Sequence, residues 1–139
     1  LVVEEAEALG IVDRLYDALG AFYSGGDETP VRELLADDVE WHVPGGSPIA
    51  GDYQGIDQVV AYFNTRRGLA RGTYRMILGE ILVGEEHVAV LTDGTAAVGG
   101  IQGGWTTLGL YRIHDGAVAG CWLLPLDQTA FDAIWSTEA

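Results

Sequence analysis

Between residues 6 and 24 apolar side chains recur at Leu9, Val12, Tyr16, Leu19 and Tyr23, with Ile11, Leu15, Ala18 and Phe22 widening the stripe. That spacing predicts an amphipathic helix. Gly25-Gly26-Asp27 ends it, and Thr29-Pro30 reads as the cap and first residue of a short helix whose Leu34 and Leu35 face the core. The period then changes to two: Val39, Trp41 and Val43 alternate with Glu40 and His42 until Pro44, which predicts a strand. A Gly/Pro loop follows, after which Asp57 is placed to cap a helix carrying Val59, Val60 and Phe63 and ending near Gly68. Everything after Arg71 reads as strands, over 74–83, 87–97, 105–113 and 117–126. Glu85-Glu86, residues 99–104 and Asp115-Gly116 are the turns between them, the last a strong hairpin signal. A short helix over 129–135 presents Phe131, Ile134 and Trp135 and closes the chain. Helices first and consecutive strands afterwards predict an α+β fold, with helices on one face of a curved, mostly antiparallel sheet. Residues 1–139 show no repeat or linker and are read as a single domain.

Composition narrows the partners. Apolar residues make up 48% of the chain, which argues for a packed core despite a net charge of −14. With 21 acidic residues against seven basic ones, the surface repels nucleic acid and anionic lipid, and neither is expected as a partner. No apolar run approaches the roughly 20 residues of a membrane helix. The amino terminus lacks the basic-then-apolar layout of a signal peptide, so a cytoplasmic location is expected. Cys121 stands alone, and His42, His87 and His114 are scattered without a His-x-His or Glu-x-x-His pair, so no metal site is expected. Arg66, Arg67, Arg71 and Arg75 fall within ten residues. They read as a solvated helix end, where cations meet the negative end of the helix dipole, or else as a dock for a carboxylate or phosphate.

The element order, together with Leu35-Ala36-Asp37-Asp38-Val39-Glu40-Trp41, the Pro44-Gly45 loop, Gly55 before a helix, and Asp115-Gly116 leading to Trp122 and Asp127, resembles the SnoaL-like branch of the NTF2-like superfamily, which includes ketosteroid isomerases. The resemblance covers nearly the whole chain. It implies a cone-shaped domain, a curved sheet wrapped around N-terminal helices, an apolar cavity at the open end, and often a homodimer. Its motifs specify fold rather than reaction, because the superfamily holds isomerases, polyketide cyclases, epoxide hydrolases and non-catalytic proteins. Matching the isomerase pattern puts the base position at Val43, the helix tyrosine at Leu19 and the second acid near Gly109, all apolar or empty here. Tyr16, one helical turn before Leu19, supplies a displaced hydroxyl or else belongs to the core stripe.

In the SnoaL-type cyclases the base is an aspartate near the end of the last long strand, and Asp127 is the position most similar to it. Alternation groups Asp127 with Cys121, Leu123 and Pro125, where an apolar wall would raise its pKa toward a range useful for proton transfer. Two residues before Thr129, it is equally a natural helix cap. His42 is the other acid/base candidate because imidazole titrates near neutrality, although alternation sets it with Glu40 on the face opposite Trp41 and Val43. Asp93, before Gly94, reads as a bulge or as a second cavity carboxylate. Trp41, Val43, Tyr16, Leu19, Trp105, Tyr111 and Trp122 are the expected walls of the pocket. The resulting expectation is a cofactor-independent enzyme that isomerises, cyclises or dehydrates a mostly apolar small molecule such as a polyketide-like intermediate. A binding protein with the same cavity and no chemistry is the alternative, and an interaction module dimerising through the outer sheet face is a third.

Overall fold

The computed structural model describes residues 4–137. Its elements run α1 (Glu5–Tyr23), α2 (Thr29–Leu34), β1 (Leu35–Val43), β2 (Gly51–Gln54), α3 (Gly55–Ala70), β3 (Arg75–Val83), β4 (His87–Val98), β5 (Ile101–His114), β6 (Ala117–Pro125) and α4 (Gln128–Trp135). The six strands form one sheet in the order β2-β1-β6-β5-β4-β3, antiparallel throughout except where β1 runs parallel to β6. Parallel pairing there requires a long crossover, and the intervening helix, hairpins and strands supply it.

Alternation decides the faces. Trp41 pairs with Cys121, Cys121 with Tyr111, and Tyr111 with Val88, so these residues share the inner face and are buried against α1 and α3. α1 contributes Ile11, Val12, Leu15, Leu19 and Phe22, all buried, and α3 contributes Val59, Val60, Tyr62 and Phe63. α4 closes one end with Phe131 and Trp135, neither of which is exposed. Asp115 (φ 50°) and Gly116 (φ 75°) take the left-handed turn that the β5–β6 hairpin requires. No helix among the described residues is long and apolar enough to cross a membrane.

Several local expectations change. β1 begins at Leu35, directly after α2, and β2 is a strand that two glycines and a charge had disguised as loop. Thr29 is the first residue of α2 rather than its cap, and it receives Asp27 Oδ1 as an acceptor for its amide and its hydroxyl. α3 starts two residues before Asp57: Gln58 Oε1 accepts from the Gln54 amide, while Asp57 pairs with Arg32 Nη1 at 2.9 Å. β5 reaches back to Ile101, because Gly103 and Gly104 pair with Ala96 and Thr95 instead of forming a loop. Asp93 marks no bulge. It stays in register with Thr106 on the outer face and accepts its hydroxyl at 2.6 Å, and the irregularities fall elsewhere, between Leu35 and Glu40, between Leu78 and Ile81 and between Arg112 and Ile113.

Candidate functional site

α1 carries a second face beside its core stripe. Asp13, Tyr16, Asp17 and Gly20 follow at i, i+3, i+4 and i+7, so they project together. Tyr74, Met76 and Leu78 alternate with period two and face them from β3 and the residue before it. Between the two walls lies a cavity of about 360 Å³, with Arg75 at its edge. The Tyr16 hydroxyl lies 2.6 Å from Thr92 Oγ1 and 3.1 Å from the Tyr111 hydroxyl. Burial is the main reason that the Tyr16 phenol is pushed up to about 12, so it keeps its proton at neutral pH. Tyr111, more deeply buried, is also held well above the usual phenol value by desolvation.

Tyr111 owes its position to a missing side chain. A Cβ at Gly109 would come within 2.9 Å of Tyr111 Cε2 and 3.1 Å of its hydroxyl, so the ring folds back over the glycine. The phenol thus fills the space where an acid at 109 would begin. Leu19 is buried in the core, and Tyr16, one turn earlier, supplies the hydroxyl on the cavity side. Val43 is buried and apolar, with no carboxylate in its place.

The remaining expected wall residues are distributed differently. Trp41, Leu19, Trp105 and Tyr111 lie inward, but they pack against one another and the helices: Trp41 sits 5.0 Å from Phe63 and 5.9 Å from Tyr111 between ring centroids, and Trp105 5.3 Å from Trp135. Of the expected wall, Tyr16 is the member that lines the 360 Å³ cavity. Trp122 is on the outer face, because its neighbour Cys121 takes the inner one, and it stacks on His42 at 5.3 Å. His42 accordingly faces outward, with Nδ1 2.7 Å from Asp52 Oδ1 and Nε2 3.5 Å from Glu40 Oε1. A separate outer cleft of about 180 Å³ runs between His42, Asp52 and Trp122, with Val43 at its inner edge.

Asp127 is exposed, and its Oδ1 accepts the Ala130 amide at 3.0 Å. Extension of β6 to Pro125, followed by the turn into α4, carries the carboxylate away from the Cys121 and Leu123 face. The cap is the role its geometry supports. Asp127→Ala is expected to lower stability by about 1 kcal/mol, and Asp127→Asn by much less, since an amide oxygen still caps. Urea unfolding of the two variants checks this, and equal losses would remove the cap assignment.

The four clustered arginines are not equivalent. Arg67 lies over Phe22 at 4.7 Å and donates to Gly26 O, Arg71 ends α3 in the left-handed region, and Arg75 donates to Gly72 O and Tyr74 O. Arg66 is only 4% exposed, so the solvated-end reading does not apply to it. Its spacing carried the signal: Val59, Phe63, Arg66 and Ala70 follow at i, i+4, i+7 and i+11, the buried stripe of α3. Thr92 carried no such signal, because Asp93 beside it read as a bulge or a cavity carboxylate until pairing with Thr106 set it on the outer face. Asp13 and Asp17 carried none either, because an exposed helix face offers no sign of what packs opposite.

Comparison with known proteins agrees with this architecture. Residues 12–120 match the family model described as a SnoaL-like domain. A 62-residue stretch is 36% identical to an uncharacterized protein of Mycobacterium tuberculosis, covering 45% of this chain and 47% of that protein, so the match spans about half of the relative's length. Among solved structures, Bal32a from a soil-derived mobile gene cassette superposes with a TM-score of 0.86 at 27% identity, covering 94% of this chain and 97% of Bal32a. A protein of Jannaschia sp. CCS1 named for a SnoaL-like polyketide cyclase superposes with a TM-score of 0.75 at 20% identity, covering 97% and 95%, a likeness of fold alone.

Proposed function

This chain belongs to the SnoaL-like domain family, and we propose that it binds a small, mostly apolar molecule in the cavity between α1 and β3, with Tyr16 donating a hydrogen bond to a carbonyl-type oxygen of that ligand. The observation that carries this reading is the contact of one cavity hydroxyl with two others behind it, Thr92 and Tyr111. A hydroxyl that accepts from such neighbours is a better donor to a third group, and a network of this kind holds its geometry before the ligand arrives. Tyr16→Phe keeps the ring and removes the donor. With 2-acetylnaphthalene as the probe, calorimetry is expected to show binding about five- to tenfold weaker in the variant, the worth of one hydrogen bond. Unchanged affinity would refute the assignment of Tyr16.

A second reading, an acid/base isomerase, cyclase or dehydratase acting on a polyketide-like intermediate, is favoured by Asp13 and Asp17 sharing the Tyr16 wall. Tyr16 backed by Tyr111 would stabilise an enolate oxygen, and a wall aspartate would take the proton. The positions of Asp127 and His42 lend no support to their use as that base. Exchange of the acetyl protons of 2-acetylnaphthalene in heavy water, followed by NMR, separates the two readings. Exchange lost in Asp17→Asn or Asp13→Asn supports the enzyme, and exchange no faster than in buffer supports binding alone. Homodimerisation through the outer sheet face is likewise a proposal, supported by the half-buried Leu91, Leu108, Leu110 and Trp122 there and to be tested by the mass in solution.

A further inference from the structure

Four buried N–H positions lack an acceptor among the described residues: Arg66 Nε, Arg66 Nη2, Trp135 Nε1 and Trp41 Nε1. Arg66 links the surroundings of all of them. Its Nη1 donates to the Tyr62 hydroxyl at 2.8 Å, and the Tyr62 ring lies 6.4 Å from that of Trp41. Its guanidinium carbon lies 4.6 Å from the Trp135 ring centroid and 4.7 Å from that of Tyr74, with Phe131, Trp105 and Tyr62 between 5.7 and 5.9 Å. No carboxylate among the described residues pairs with it. Aromatic faces attract the charge, and the Tyr23 and Tyr74 hydroxyls lie near enough to the guanidinium to be held partly down by it. Yet neither reaches Nε or Nη2 with hydrogen-bond geometry, so those two N–H groups are left without an acceptor. A buried cation with unpaired donors is costly to keep, and an interior with spare donors and no anion is complementary to an anion.

The cage and the cavity share a residue. Tyr74 lines the α1–β3 cavity and also carries the guanidinium 4.7 Å from its ring centroid. Resting on the cavity reading above, we propose that the ligand bears a carboxylate, and that Arg66 receives it through Nε and Nη2 once Tyr74 turns aside. The planar fork of arginine matches two oxygens on one anionic group, which an ammonium cannot do. Asp13 and Asp17 at the cavity wall, and a net charge of −14, oppose multiply charged ligands, so the fitting class is a single charge on a mostly apolar body.

The test compares naphthalene-2-carboxylate with its neutral amide by calorimetry on the wild type, Arg66→Gln and Arg75→Gln. The wild type is expected to prefer the carboxylate by about tenfold or more, the value of a charge-assisted pair. Arg66→Gln abolishes that preference while keeping the affinity for the amide, and Arg75→Gln, at the rim, preserves it. Should Arg66→Gln fail to fold, the ¹⁵N-resolved Nε–H resonance of Arg66 in the wild type answers instead, and it is expected to shift with the carboxylate and not with the amide. Equal affinities, a preference that survives in Arg66→Gln or vanishes in Arg75→Gln, or an unmoved Arg66 resonance at saturation would overturn the inference. Amide binding that depends on Tyr16, with no carboxylate preference, sinks the role of Arg66 and leaves the cavity reading intact. Binding of neither probe sinks both.

Discussion

Replacing Trp135 with alanine is expected to lower the unfolding free energy by about 3–5 kcal/mol. The indole is fully buried, 5.3 Å from Trp105, 5.6 Å from Tyr74 and 6.5 Å from Phe131 between ring centroids. Truncation removes its apolar area and leaves a space that the surrounding rings fill only in part. α4 has eight residues and little stability of its own, so it depends on its two buried aromatics, on the Asp127 cap, and on the links from Asp132 to the Gly46 amide and from Gln128 to Pro44 O. One effect works in the other direction: opening the end of the cone lets water reach the unpaired N–H groups of Arg66, which places the expected loss toward the lower end of the range. Urea unfolding measures it. A loss below about 1 kcal/mol would mean that α4 is peripheral and that the end of the cone is open without it.

The second large effect is alkaline. Tyr16, Tyr23, Tyr62, Tyr74 and Tyr111 all have phenols raised above the usual value of 10.0, in each case chiefly by burial, and Tyr16 reaches about 12. The charge of Arg66 pulls Tyr23, Tyr62 and Tyr74 partly back. A raised folded pKa means that the native state holds its proton more tightly than the unfolded chain does. The stabilisation is therefore complete below pH 10 and is lost as pH rises from 10 through 12. Two units on Tyr16 alone correspond to about 2–3 kcal/mol, a large share of the margin of an ordinary domain. Absorbance at 295 nm is expected to stay flat past pH 10 and then rise steeply together with loss of secondary structure by circular dichroism. A gradual rise centred on pH 10 with the fold intact would show that these phenols are open to solvent.

Much of the architecture was legible because it rests on local periodicity. The α1 stripe, the alternation around Trp41, and the Asp115-Gly116 hairpin each follow from a few neighbouring residues. What escaped was set by pairing partners. β2 is four residues long and becomes a strand only because β1 lies beside it with Trp41 opposite Tyr53. Gly103 and Gly104 look like a loop until β4 supplies Ala96 and Thr95. Asp127 illustrates the limit for the site. Two residues beyond the end of β6, it can continue the alternation or turn into a cap, and the direction of α4 settles which.

The same distinction separates Tyr16 from Arg66. The sequence by itself determined the faces: which residues on each helix and strand travel together, that Val43, Leu19 and Gly109 carry no acid or hydroxyl, and that His42 opposes Trp41. Only the tertiary structure decided what each face meets. It brought Thr92 and Tyr111, 76 and 95 residues away in sequence, to the Tyr16 hydroxyl, and it enclosed Arg66 among rings from α3, β5, α4 and the segment before β3. The reason is physical. Periodicity reports the rotation of a side chain about its own element, whereas burial, pairing and desolvation belong to the space between elements.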